Sequence, residues 1–319
     1  MQKLAIKAKC IAGPEQRIEH IKSALARGLE EFGMSPAHGS EVAVVGSGPS
    51  VKHQIKRIRK MMARGVMILA VKGAHDFLIE NKIVPHAALA VDPQPHIVKC
   101  FRKKLKDNGQ RRPVYLIASQ CCPEVFDYFP DQRVILWHLL ATSTHKLLDG
   151  HFQIGGGSTS GSRGIVLAWC MGFRKIHLFG FDSCLEGKGT SKLRKVTGDR
   201  YGGEKEQILE LVCEGRRFWS DPAMSAQANE IQDVLHMLEG AQIKAWGKGL
   251  IQTIIESNSK KGMEGYYVTS DKFGTHAIPK PRKATTDLTE QVLQAAMSGV
   301  FRGSNYGDRA GPAVVTESG

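Results

Sequence analysis

Val42-Ala43-Val44-Val45-Gly46-Ser47-Gly48-Pro49-Ser50 is an apolar, largely β-branched run that breaks at a glycine turn. Val51, Ile55, Ile58 and Met62 follow at helical spacing with lysines and arginines between them, so the stretch reads as strand, tight turn and amphipathic helix. The same alternation continues along the chain. Further strands are predicted at Met67–Val71, Ala87–Val91, Val114–Ala118, Val134–Trp137, Lys175–Phe179 and Gln242–Ala245, with helical stretches between them. Short β-branched runs separated by helices predict an α/β fold, a doubly wound, mostly parallel sheet with helices on both faces.

The best-marked helix runs from Pro222 to Glu239. Asp221 is its cap, Pro222 suits the first turn, Met224, Ala228, Ile231 and Leu235 form its apolar stripe, and Gly240 ends it. An earlier helix, Glu15 to Phe32, precedes the first strand. The organisation expected is an N-terminal helical extension over 1–39, the α/β domain over 40–257, and a largely flexible tail over 258–319. In the tail, one short helix near 287–298 is capped by Asp287 with Glu290 three residues on, and suits docking on the body or on a protein partner. A polar, basic loop from Glu186 to Tyr201, directly after a strand, reads either as a cover over a site or as surface insertion.

The 319 residues are 42% hydrophobic, enough for an ordinary core, and no run reaches the ~20 apolar residues of a membrane-spanning helix. With no signal-peptide core at the start, the cytoplasm is the expected location. Seven cysteines are scattered at 10, 100, 121, 122, 170, 184 and 213 with no C-x-x-C pair, against both a disulfide framework and a zinc site, and read as reduced thiols. The net charge of +13 is clustered, with six Lys/Arg and no acid between Lys52 and Arg64. Such a field suits a solvated helix face or a phosphate-bearing partner. Nucleic acid is not favoured, because no RNA-recognition strand or zinc finger accompanies the charge.

Two glycine segments carry the functional signal. Gly155-Gly156-Gly157-Ser158-Thr159-Ser160-Gly161 opens an apolar helix, and a helix N-terminus offers N–H groups and a positive dipole end to an anion. Gly46-Ser47-Gly48-Pro49-Ser50 falls short of the dinucleotide fingerprint, having Val51 where the third glycine belongs, and so reads as a phosphate turn or a plain β-to-α turn. Asp92 and Asp182 end strands, where a carboxylate suits Mg²⁺, a ribose or an acceptor hydroxyl, and equally suits a helix cap. Lys72, at a third strand end, is a point charge for phosphate. His75 reads as a helix-start residue or a base, and His177 as a sheet-face histidine or a base.

Together Gly46-Ser47-Gly48-Pro49-Ser50, Val71-Lys72-Gly73-Ala74, Val91-Asp92-Pro93, Gly155 to Thr159 and Gly172 through Asp182 resemble the 6-hydroxymethylpterin diphosphokinase MptE-like family. The resemblance spans residues 40 to 255 and implies a Rossmann-like fold. Its archaeal pterin enzymes use ATP and Mg²⁺ to move a diphosphate onto a pterin hydroxymethyl group, releasing AMP. The chain is also similar to Maf flagellin glycosyltransferases and, more distantly, to bacterial sialyltransferases that bind a CMP-sugar, and phage genomes carry relatives.

The resemblance makes Gly46, Ser47, Gly48, Pro49 and Ser50 one nucleotide turn and Gly156, Gly157, Ser158 and Thr159 the other, with Arg163 as a nearby cation. It makes Asp92 the metal or ribose ligand, Asp182 a second ligand or an acceptor-site group, and Lys72 and Arg163 the cationic candidates for charge stabilisation. The function implied is ATP-dependent diphosphate transfer to a small-molecule acceptor. Sugar transfer from a CMP-sugar, with His75 or His177 as base, and a non-catalytic basic assembly role are the alternatives.

Overall fold

Eight parallel strands in the order β1-β6-β5-β4-β3-β2-β8-β11 make the central sheet, and a ninth, β7, joins β6 alone. The computed structural model describes residues 12–103, 105, 112–130, 132–141, 143–186, 209–261, 266–271 and 274–279. The strands are β1 (Glu30–Glu31), β2 (His38–Val45), β3 (Met67–Val71), β4 (Ala87–Ala90), β5 (Val114–Ala118), β6 (Val134–Leu139), β7 (Gln153–Ile154), β8 (Phe173–Phe179) and β11 (Gln242–Trp246). Two antiparallel hairpins lie outside the sheet: β9 (Leu209–Cys213) with β10 (Arg216–Ser220), and β12 (Tyr266–Asp271) with β13 (Gly274–Pro279).

All seven strands expected from the pattern are present, and the central ones, β2 to β5, are buried on both faces along most of their length. Val42, Ala43, Val44 and Val45 of β2 have no exposed surface, and β3, β4 and β5 are nearly as dry. Such strands read as continuous apolar runs rather than as alternation.

The helices are α1 (Pro14–Leu25), α2 (Ile55–Ala63), α3 (Ala74–Glu80), α4 (Pro123–Asp127), α5 (Ser160–Cys170), α6 (Pro222–Met237) and α7 (Leu250–Lys261). From β2 the chain steps one way across the sheet to β6, then returns over it to β8 and β11. Right-handed crossovers therefore put the outgoing helices on one face and α5 and α6 on the other. α5 packs directly on the sheet because Gly164 has no side chain: a Cβ there would lie 2.9 Å from Val71 and 3.3 Å from Val44.

Two local expectations are adjusted. The first helix stops at Leu25 instead of running to Phe32, and Gly28 takes a left-handed φ of 59°, which turns the chain into β1. The helix expected from Val51 begins as a 3₁₀ turn, Pro49–His53, before α2. α6 matches its reading closely, with Asp221 Oδ1 accepting the Met224 N–H at 2.7 Å. The short helix near 287–298 and the basic loop beyond Glu186 lie outside the described residues. Of the six described cysteines, Cys121, Cys122, Cys170, Cys184 and Cys213 are buried, and none of the six forms a disulfide among the described residues. No helix among the described residues is long and apolar enough to cross a membrane.

Candidate functional site

Strand order reverses between β2 and β8, a switch point at which the loops leaving the carboxyl ends of an open α/β sheet part to opposite faces and ligands enter the crevice outside them. Gly46 to Ser50 leaves β2 at that point, and Gly180-Phe181-Asp182 leaves β8. The two loops interlock. Gly46 N–H donates to Phe179 O at 2.7 Å and Gly48 N–H to Gly180 O at 2.9 Å. A Cβ on Gly48 would lie 2.6 Å from Gly180 O and would overlap Asp182 Oδ2, while one on Gly180 would lie 2.5 Å from Gly46 O. These glycines let one backbone lie directly on another.

Asp182 is the pin of this junction. It is 2% exposed, and its Oδ2 accepts the Ser50 N–H at 2.8 Å while Oδ1 accepts Gln252 Nε2 at 3.3 Å. Its carbonyl takes the Leu250 N–H at 2.8 Å, which ties in the start of α7. Burial pushes its carboxyl above the usual range, against the opposing hydrogen bonds from Ser50 and Gln252. Asp182 therefore holds the two loops and the start of α7 together.

Lys72 and Asp92 sit on the same rim, at the ends of β3 and β4. Lys72 Nζ lies 3.1 Å from Asp92 Oδ2, and the two side chains are 13% and 23% exposed. Asp92 Oδ1 accepts the Gln94 N–H at 3.2 Å, and His96 Nε2 approaches Oδ2 at 3.9 Å. Burial would raise the Asp92 carboxyl, but the Lys72 ammonium and the Gln94 N–H outweigh it and hold it below the ordinary range. Lys72 adopts a left-handed φ of 48°, uncommon for a residue with a side chain and a pointer to function at a strand end.

Asp92 and Asp182 leave strands three spacings, about 14 Å, apart in the sheet, with β3 and β2 between β4 and β8. Their surroundings differ too: the Asp92 side chain keeps 23% of its surface exposed, as one carboxylate ligand of Mg²⁺ would need, whereas the oxygens of Asp182 are engaged inside the fold.

The second glycine segment is brought to the first by Phe181. Its ring lies 3.4 Å from where a Gly46 Cβ would be and 3.0 Å from that of Gly161. Gly156 and Gly157 take left-handed φ values of 94° and 65°, folding the loop onto α5. Thr159 and Ser162 form a capping box at its first turn. The anion-binding end is already met by a carboxylate: Glu230, from α6, accepts Ser158 N–H at 2.7 Å and Ser158 Oγ at 2.8 Å. Gln227, also from α6, donates to Thr159 Oγ1 at 2.9 Å. Arg163 donates to Ile154 O at 3.2 Å, and burial lowers its guanidinium to about 10, with Glu230 opposing the shift. Glu230, Gln227 and Gln252 carried no signal in the sequence, since each reaches its partner from a separate element.

Neither histidine is placed as a base. His75 is fully buried, with Nδ1 2.8 Å from Asp76 Oδ1 and Nε2 3.1 Å from Tyr115 OH, in a box with Phe101. His177 pairs with Glu41 at 2.9 Å and faces the Trp246 indole. Both link structural elements.

A family model described as 6-hydroxymethylpterin diphosphokinase MptE-like matches residues 16–188. Among solved structures, the Maf glycosyltransferase from Magnetospirillum magneticum AMB-1 is similar at a TM-score of 0.57 and 17% identity, over 74% of this chain and 37% of that one. The chain thus spans little more than a third of that protein's length, and the likeness is one of fold. No curated protein matches the chain.

Proposed function

The chain belongs to the 6-hydroxymethylpterin diphosphokinase MptE-like family, a transferase family, and on that premise we propose that it binds a nucleotide across the β2–β8 crevice and transfers a diphosphate from it. The observation that carries this reading is the Lys72–Asp92 pair, a cation in a left-handed backbone conformation beside a strand-end carboxylate that is 23% exposed. Phosphoryl transfer asks a protein chiefly for positioning and charge stabilisation.

In this reading Lys72 faces the phosphate charge and the Gly46–Ser50 turn shapes the crevice, with Ser47 partly exposed on it. The N–H groups of Gly46, Gly48 and Ser50 are bonded to the β8 loop, so the turn contributes form more than donors. Asp92 would hold Mg²⁺, which when bound neutralises phosphate charge. Asp182 fixes the turn from beneath.

Sugar transfer from a CMP-sugar is the second reading, supported by the fold shared with the Maf glycosyltransferase. The two histidines expected as its base, His75 and His177, are engaged in other contacts.

Thermal-shift titration of the full chain with ATP, CTP, CMP and CMP-sialic acid, each with and without Mg²⁺, separates these readings. Stabilisation by ATP that requires Mg²⁺, followed by AMP release with a hydroxymethylpterin acceptor, is the expected result. A saturating ligand at about 100 Kd adds about 2.7 kcal/mol, which is readily seen. A cytidine preference would favour sugar transfer. No shift with any nucleotide, together with salt-sensitive DNA or RNA binding, would leave a basic assembly protein.

A further inference from the structure

Far from that crevice, on the outer edge of β6, two very short strands meet end to end. β1 covers one part of the edge, with Glu31 beside Leu136, and β7 covers the next, with Gln153 beside His138. Partners in parallel strands point to the same face, as do residues two apart along a strand. Glu31, His138 and His151 are therefore turned to one side at the junction.

Their donor atoms converge. His138 Nε2 lies 3.1 Å and His151 Nδ1 2.8 Å from the same oxygen, Glu31 Oε2, and all three atoms fall within 4.8 Å of one another. The imidazole rings are 4.9 Å apart at 61°. His138 is fully buried, while His151 and Glu31 keep 31% and 35% of their side chains exposed, so the cluster has a buried floor and a wet mouth.

We propose that Glu31, His138 and His151 form a binding site for a divalent ion of the zinc class, with solvent completing the fourth position. Two imidazoles and one carboxylate are a zinc donor set with an open position. Tetrahedral bonds of about 2.05 Å put neighbouring donors about 3.3 Å apart, so the two N···O separations need to change by only a few tenths of an ångström, while the two nitrogens, within 4.8 Å of one another, close by up to about 1.5 Å through rotation of the partly exposed His151 ring. The ligands come from three separate segments, so the ion would clasp β1, β6 and the approach to β7. This differs from the expectation drawn from the cysteines: the site uses none of them.

The affinity expected is modest. His138 Nδ1 is buried with no hydrogen-bond partner among the described residues, and the missing outer-shell bond weakens a site by roughly 10- to 100-fold.

The test uses the full chain, stripped with a chelator and titrated with Zn²⁺ by calorimetry and with Co²⁺ by visible absorption. One equivalent should bind, with a Co²⁺ ligand-field band and a raised melting temperature. Glu31→Gln and His151→Ala, both at partly exposed positions that spare the buried ring, should each abolish all three signals while the metal-free melting temperature stays near wild type. Failure to bind an equivalent, or uptake that persists in both variants and so belongs to the thiols, would overturn the proposal and leave a hydrogen-bonded clasp.

Discussion

Asp182 Oδ2 accepts the Ser50 N–H across the crevice between β8 and β2, at 2.8 Å and almost wholly out of water. The bond joins the two loops that any ligand at this crevice must meet. Because no cation is bonded to this carboxylate among the described residues, its charge rests on neutral donors.

Asp182→Ala leaves the Ser50 N–H and the Gln252 amide without their acceptor and should cost about 1–3 kcal/mol in urea unfolding. Asp182→Asn keeps an acceptor, and the buried, unpartnered Gln252 Oε1 can turn to receive the new amide donor. The pH dependence has a definite sign. The folded-state value is raised above the unfolded ~3.9, so the proton is held more tightly in the native state. The group's share of stability is present below about pH 4 and is lost as pH rises through the folded value. Wild-type stability relative to Asp182→Asn should therefore decline from acid toward neutrality, and parallel pH profiles for the two proteins would contradict this.

Gly48→Ala tests the interlock of the glycine loops. Its φ of −65° suits any residue, so only space is at issue, and the added methyl would press on Gly180 O and Asp182. Overpacking of this kind costs about 1–3 kcal/mol, with about 2–4 °C of melting temperature for each. Gly39→Ala, where nothing lies within 4 Å, should leave the melting curve unchanged.

Lys72→Gly tests the cation of the rim. Glycine relieves the left-handed conformation by about 1 kcal/mol, but the ion pair it breaks is mostly buried, so the relief offsets only part of the cost of leaving the Asp92 carboxylate without its cation. Melting should thus fall, and Mg²⁺-nucleotide affinity, measured below the variant's melting range, should fall by about tenfold, or about 1.4 kcal/mol. Unaltered nucleotide affinity would remove Lys72 from the site.

Glu230→Gln bears on the Gly155–Thr159 loop. The native carboxylate occupies the Ser158 donors and repels an arriving phosphate. Neutralising it should tighten nucleotide binding by about tenfold if phosphate reaches α5, again about 1.4 kcal/mol by calorimetry. An unchanged constant would confine the ligand to the β2–β4 rim.

The fold was legible because each central strand announces itself locally: Val42 to Val45 and Leu116 to Ala118 are buried runs that need no knowledge of their neighbours. The family was legible for a related reason, since its short motifs fall at strand ends in a fixed order. β1 and β7 were not, as two residues give no period to read. The readings of Asp182 and Ser158 depended on what faces them. In a sequence a strand-end aspartate looks the same whether it turns outward, like Asp92, or inward, like Asp182. The reach of Glu230 over 72 positions to Ser158 is likewise invisible to spacing.

The placement of Glu30 and Glu31 against Ile135 and Leu136 bears on how the chain can be shortened. A cut at residue 40, where the repeating strand pattern first becomes obvious, would strip β6 of half its cover. The exposed ladder of unpaired N–H and C=O groups would then be a template for another molecule's strand. Glu30 and Glu31 thus cover an edge that would otherwise be open to pairing.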